Sequence, residues 1–131
     1  MEITKLMQIL AADGRDAVVR GLRVENPIAD ARKLWDAGQK QKAIEGLKQQ
    51  IEQNPVRADW WIQLGIFEME VIRYEEALCS FRKAARLDPF DPHALGLQAG
   101  PLECLGYPKA AARAHREALK LESWRKFPDQ N

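Results

Sequence analysis

The chain has 131 residues, of which 46% are hydrophobic and 30% are charged, a composition typical of a folded globular domain and not of a disordered chain. Its formal net charge of +1 argues against nucleic-acid binding driven by bulk charge. It has no run of about 20 apolar residues, so a membrane span is not expected.

The first predicted element is an N-terminal helical extension over residues 1–23. Its first helix ends at Asp13-Gly14, where the glycine suits a C-cap, and a second short helix is expected around 15–22. The apolar residues of the first helix recur at helical spacing: Ile3, Leu6, Met7 and Leu10. The extension either caps the helices that follow or docks as an arm into a groove, in its own chain or in a second copy, which would make a homodimer. It lacks the long apolar core of a signal peptide, so a cytoplasmic location is expected.

A helix pair is predicted next, over residues 27–37 and 40–53. Pro27 suits the first turn of a helix, because its missing N–H has no partner there in any case. Gly38 marks the turn between the two helices, and Asn54-Pro55 closes the second. The pattern therefore indicates two antiparallel neighbours.

The central stretch, residues 58–89, predicts a second helix pair with Asp59 as a candidate N-cap. Its first helix is apolar on two faces. One face carries Trp61, Leu64, Gly65 and Glu68 at positions i, i+3, i+4 and i+7, and the other carries Ile62, Ile66 and Met69. Such a helix must be covered on two sides, so neighbouring helix pairs are expected to stack against it.

A third pair follows the proline-rich break at residues 88–92. Its first helix is predicted over 92–105 with a kink near Gly100, where Pro101 also weakens the helix. Its second helix is predicted over 109–121. Two aromatic residues after it are expected to fold back as a partial cap, Trp124 and Phe127. Without that cap the apolar end favours end-to-end association into a homo-oligomer.

The three pairs share a period of 34 residues. Small or matching residues recur at this step in several columns: Ala43, Ala77 and Ala111; Ala31, Gly65 and Ala99; Leu47, Phe81 and His115; Pro55 and Pro89. A self-similar period of this length is typical of a helical repeat array. The predicted units are 24–57, 58–91 and 92–125, followed by a tail at 126–131.

The middle unit resembles a tetratricopeptide repeat. The residues that carry the resemblance are Trp61, Leu64, Gly65, Ala77, Phe81, Ala84 and Pro89, with Tyr74 before the second helix. The unit departs from the family at Glu68, where an aromatic residue is usual. The resemblance covers roughly residues 24–125. It implies an all-α fold of tandem helix-turn-helix repeats that form a short right-handed α-solenoid.

The resemblance also implies a concave groove lined by the first helix of each unit. By column, its lining is expected to comprise Ile28, Arg32, Trp35, Asp59, Ile62, Gln63, Ile66, Met69, His93 and Leu97, with Glu70 and Gly100 beside them. The columns that grip a C-terminal carboxylate in some members of the family hold one basic residue here, Arg32, so such a clamp is not predicted. The apolar centre of the set suits an apolar peptide or an amphipathic helix. The alternative is that neighbouring first helices cover Ile62, Ile66 and Met69.

No catalytic constellation, phosphate loop or metal-ligand spacing is present in the sequence, so an enzyme, a cofactor and a metal are not expected. Cys79 and Cys104 are predicted to be free thiols. His115 is predicted to pack in the core. Two sets of charged residues are predicted to lie on the solvated surface. The first is acidic: Glu68, Glu70, Glu75 and Glu76. The second is a basic stripe, for which docking of an acidic partner or a phosphate backbone is the alternative: Lys109, Arg113, Arg116 and Lys120.

The function predicted from these observations is a non-enzymatic protein–protein interaction module, an adaptor or scaffold that binds a protein or peptide partner in the groove. Two alternatives stay open. Small cytoplasmic secretion-type chaperones with three such repeats are similar in layout, including the helical N-terminal arm. A self-assembling structural repeat protein is the other.

Overall fold

The structure is a computed structural model that describes residues 26–126. The predicted extension at 1–23 and Phe127 in the predicted tail lie outside the described residues. Within them all regular secondary structure is helical, which confirms the all-α prediction. The helices are α1 Pro27–Asp36, α2 Lys40–Gln53, α3 Ala58–Glu70, α4 Tyr74–Leu87, α5 Pro92–Leu97, α6 Ala99–Cys104 and α7 Pro108–Lys126.

The chain divides into two compact units, Met1–Gly46 and Leu47–Asn131. In the first unit Asn26 caps α1, because its side-chain oxygen accepts a hydrogen bond from the Ala29 N–H at 3.2 Å. Pro27 occupies the start of the helix, as predicted. The buried apolar residues of this part are small or branched: Ala31, Ala43 and Ile44.

In the second unit α3 and α4 form a closely packed antiparallel pair. Its core contains Trp60, Leu64, Phe67, Ala77, Phe81 and Ala84, all buried. The Phe81 ring lies directly against Gly65, at a distance that leaves no room for a β-carbon on the glycine. The small residue predicted at this point therefore serves close packing. The buried face of α3 is rotated slightly from the predicted face, since Trp60 is buried whereas Trp61 is half-buried.

The first helix of the third pair is interrupted, as predicted, but at Gln98 rather than at Gly100. Pro101 explains the position, because it has no N–H to donate to Leu97 and its ring crowds the carbonyl four residues earlier. The last helix, α7, continues to Lys126, well beyond the predicted end at 121. Trp124 consequently lies within the helix, largely exposed, and does not fold back; that part of the prediction was wrong. The interior of this region is a cluster of Leu78, Ala99, Leu102, Ala111 and Ala114.

The turns within the three helix pairs share one backbone geometry. Each contains a residue with positive φ, at 34-residue intervals: Gly38 at 85°, Ile72 at 64° and Gly106 at 91°. In each, the next residue donates its N–H to a carbonyl five positions back: Gln39 to Leu34 at 2.9 Å, Arg73 to Glu68 at 2.8 Å and Tyr107 to Leu102 at 2.8 Å. This is the six-to-one bond of a Schellman motif, which normally uses glycine. Ile72 takes the glycine position with a β-branched side chain.

Candidate binding groove

A groove with a volume of about 410 Å³ lies between α3 and the interrupted helix α5–α6. Its apolar lining comes from Ile66, Met69, Phe81 and Leu97. The first three of the four lie on α3 and α4, whose close packing fixes their positions. The lining thus combines a rigid wall with residues of a helix that is broken at Gln98.

Gly100 keeps part of this groove open. A β-carbon at Gly100 would lie 3.4 Å from the methyl carbon of Met69, which also lines the groove. Any larger side chain at Gly100 would therefore reach into the space beside Met69. The absence of a side chain at this position leaves room for a ligand group of about the size of an apolar side chain.

The polar part of the lining consists of Glu70, Glu103 and His115. All three are exposed, so the prediction that His115 packs in the core was wrong. The equivalent residue of the middle unit, Phe81, has 1% exposure and lies against Gly65. Position 99, which corresponds to Gly65, is an alanine and not a glycine.

The structure brings together three of the ten predicted lining residues, Ile66, Met69 and Leu97, with Glu70 and Gly100 beside them. It places the others elsewhere. Ile62 is half-buried outside this lining, and Gln63 has only 7% exposure. His93 is exposed in the first turn of α5. In the first unit, Ile28 and Trp35 are half-buried and Arg32 is exposed.

Asp59 is exposed and does not cap α3, contrary to the prediction. The N-cap position is Arg57, whose guanidinium instead binds the Asp59 carboxylate through two hydrogen bonds of 3.2 and 3.0 Å. Asp59 therefore forms a local ion pair in the first turn, where its negative charge also interacts favourably with the helix dipole.

Sequence reasoning missed Glu103 and His115 as groove residues. Glu103 was not considered, and His115 was assigned to the core from its column in the repeat. A second error concerns Glu68, which was predicted to be solvated. It is buried with 2% exposure and accepts a hydrogen bond of 2.6 Å from the Ser80 hydroxyl. The available signal was its column, since an aromatic residue at that position would be buried.

Other predicted features lie outside the groove. Cys79 and Cys104 are free, exposed thiols, as predicted. The basic stripe on α7 is exposed at all four positions: Lys109, Arg113, Arg116 and Lys120. Between residues 26 and 126, no group of three or more His, Cys, Asp or Glu side chains is placed to hold a metal ion. None of the described helices has the length and apolar character needed to cross a bilayer.

Comparison with profiles of known protein families gives no match, and neither does comparison with curated proteins. Solved structures do match. The crystal structure of MamA aligns with a TM-score of 0.69 at 23% identity, over 73% of this chain and 56% of that chain. MamA of MSR-1 aligns with a TM-score of 0.69 at 22% identity, over 92% and 66% of the two chains.

The CopN–Scc3 complex aligns with a TM-score of 0.60 at 18% identity, over 74% of this chain and 55% of the matched chain. The chain thus spans little more than half the length of the first MamA structure. At these identities the likeness concerns the fold. It confirms an all-α protein built of tandem helix pairs, similar to the tetratricopeptide-like MamA structures.

Proposed function

We propose that this chain is a non-enzymatic protein-interaction module, an adaptor or scaffold whose groove binds an amphipathic helix or apolar peptide of a partner protein. The observation that carries the proposal is the apolar wall of Ile66, Met69 and Leu97 beside the side-chain-free surface of Gly100. A groove of about 410 Å³ accepts one or two apolar side chains, which is how helices dock through spaced anchors.

The charges at the groove add a preference for the partner's sequence. Glu70 and Glu103 place two carboxylates beside the apolar wall, with His115 as the third polar group. Complementary charge at the edge of an interface favours encounter and orientation. The preferred ligand therefore carries lysine or arginine next to its apolar anchors, and a peptide with acidic residues at those places should bind less well.

The similar structures support a role in protein assembly, since one of them is a complex of two proteins. A secretion-type chaperone that holds a client in the same groove is the finer alternative, and it shares the same test. Self-assembly is favoured by a different observation, the exposed apolar side chains of Tyr107, Leu119 and Trp124 in the last helix pair. It would use that surface rather than the groove.

The experiment measures binding of a fluorescein-labelled peptide that forms a leucine/lysine amphipathic helix, by fluorescence anisotropy. Met69→Gln removes apolar surface at nearly constant length, and Gly100→Leu fills the groove while raising helix propensity. Each should weaken binding by about tenfold or more, as expected for a central apolar anchor. Leu119→Gln is the matched control, because Leu119 is exposed outside the groove.

Wild-type affinity in both groove variants would refute the proposal. A loss of affinity in Leu119→Gln alone would show that the peptide binds at the end of the array instead. Light scattering of the same proteins, over a range of concentrations, distinguishes self-assembly: concentration-dependent growth that Leu119→Gln abolishes would favour that alternative.

A further inference from the structure

A second pocket lies on the other side of α3. At 3.6 residues per turn, Trp61, Leu64 and Glu68 point roughly opposite to Ile66 and Met69, which line the groove. The pocket has a volume of about 530 Å³ and lies among α3, α4 and the end of α2. We call it the Glu68 pocket. It is separate from the groove, so an inference about it does not depend on the proposed function.

The inner end of the Glu68 pocket is polar and deeply buried. Glu68 and Ser80 are both almost fully buried, and the Ser80 hydroxyl donates to Oε1 of Glu68 at 2.6 Å. Glu68 is one of the residues that line the pocket, so part of its side chain borders the open space.

A charged carboxyl group in this buried position lowers the stability of the folded protein. Burial raises the pKa of Glu68, and the hydrogen bond from Ser80 and the positive charges of Lys48 and Arg73 offset that effect only in part. A buried carboxylate is stabilised when a cation pairs with it, and uncompensated burial of such a group is typical of functional sites. The tetratricopeptide family usually has an aromatic residue here, which would fill the space instead.

The remaining lining favours a cation with an apolar body. Ile51, Trp61 and Leu64 provide apolar walls. The lining contains four carboxyl groups, those of residues 52, 68, 75 and 76, and a single lysine. That lysine, Lys48, is already paired with a glutamate at 3.6 Å. The electrostatic potential inside the pocket is therefore negative, which attracts cations and disfavours anions.

We propose that the Glu68 pocket binds a small primary amine with an apolar or aromatic body. The ammonium group donates a hydrogen bond to the Glu68 carboxylate, while the body packs against Trp61 and Leu64. Charge-assisted hydrogen bonds to a buried carboxylate give the amine its advantage over a neutral analogue.

The test compares three probes of nearly equal shape on the full chain: 2-phenylethylamine, 2-phenylethanol and 3-phenylpropionate. Binding is followed by amide chemical shifts in two-dimensional NMR, which also report the location. The amine should shift amides around the Glu68 pocket and bind about tenfold or more tightly than the alcohol, and the acid should not bind. Equal binding of amine and alcohol would overturn the proposal, as would no amine binding at millimolar concentration.

Glu68→Gln keeps the shape and the contact with Ser80 but removes the charge. It should reduce amine affinity to the level of the alcohol and leave alcohol affinity unchanged. Glu70→Gln is the matched control, because Glu70 lies on the same helix but lines the groove. Unchanged amine affinity in Glu68→Gln would refute the assigned role of the carboxylate.

Chemical modification provides a second test that leaves the core intact. Cys79 is exposed and lines the pocket, whereas Cys104 is exposed and does not. Alkylation of Cys79 in a Cys104→Ser variant should block amine binding, and alkylation of Cys104 in a Cys79→Ser variant should not. Amine binding that survives a bulky adduct on Cys79 would place the ligand elsewhere and overturn the proposal.

Discussion

Replacement of Gly65 by alanine tests the contact that sets the distance between α3 and α4. A β-carbon at this position would lie 2.7 and 2.9 Å from two carbons of the Phe81 ring and closer still to a third. The ring has 1% exposure, so moving it away from Gly65 would disturb the side chains packed around it. Alanine raises helix propensity by about 1 kcal/mol, but overpacking of a filled core costs about 1–3 kcal/mol. We expect a net loss of up to about 2 kcal/mol in the free energy of unfolding.

The assay is urea unfolding followed by far-UV circular dichroism, with Gly46→Ala as the matched control. Gly46 also lies inside a helix, α2, but a β-carbon there would meet no atom within 4 Å. Gly46→Ala should raise the free energy of unfolding by about 0.5–1 kcal/mol. Phe81→Leu removes the ring, and in that background Gly65→Ala should cost at least about 1 kcal/mol less than in the wild type. Equal stabilisation by the two alanine substitutions would refute the reasoning.

Three further predictions concern stability in the same assay. Ile72→Gly should stabilise the protein by about 1 kcal/mol, because glycine tolerates the positive φ that a β-branched residue adopts here at a cost. A lower stability of this variant would show that contacts of the Ile72 side chain outweigh the backbone strain. Trp61→Phe should cost about 1 kcal/mol, because the indole N–H donates to the Pro55 carbonyl at 2.9 Å; no loss would show that water replaces this bond. The pKa of Glu68 is raised, so just above the ordinary value of 4.5 the folded state binds more protons than the unfolded state. The free energy of unfolding of the wild type should therefore fall, relative to that of Glu68→Gln, as the pH rises through that range. Parallel pH profiles of the two proteins would contradict the direction of the pKa shift.

The helix pairs could be predicted from sequence because their signals are local and periodic. The second helix of the first pair was predicted over 40–53 and is observed at Lys40–Gln53. Glycine at position 38 and proline at position 27 act through their own backbone, so their roles needed no knowledge of neighbours. The end of α7 was predicted too early, because no proline or glycine between residues 109 and 126 stops the helix.

The candidate sites were harder to predict, because they depend on which faces meet. Ile66, Met69 and Leu97 followed from the column argument, although their meeting beside Gly100 required the structure. His115 was misplaced because the ring position of one pair was assumed for the next, where an alanine stands at the column of Gly65. Glu68 was misjudged because glutamate is rarely buried, and only a hydrogen-bond partner twelve residues away, Ser80, makes its position tenable.

The three Schellman turns also bear on the order in which the chain folds. Their closing hydrogen bonds span at most five residues, so each helix pair can begin to form from local contacts, which favours rapid folding. Gly38 and Gly106 populate the left-handed conformation readily in an unfolded chain, whereas Ile72 does so rarely. The central pair therefore gains little help from its turn. Its formation must be driven by burial of the Phe81 ring against Gly65, and the transition state for folding of that pair should already contain this contact.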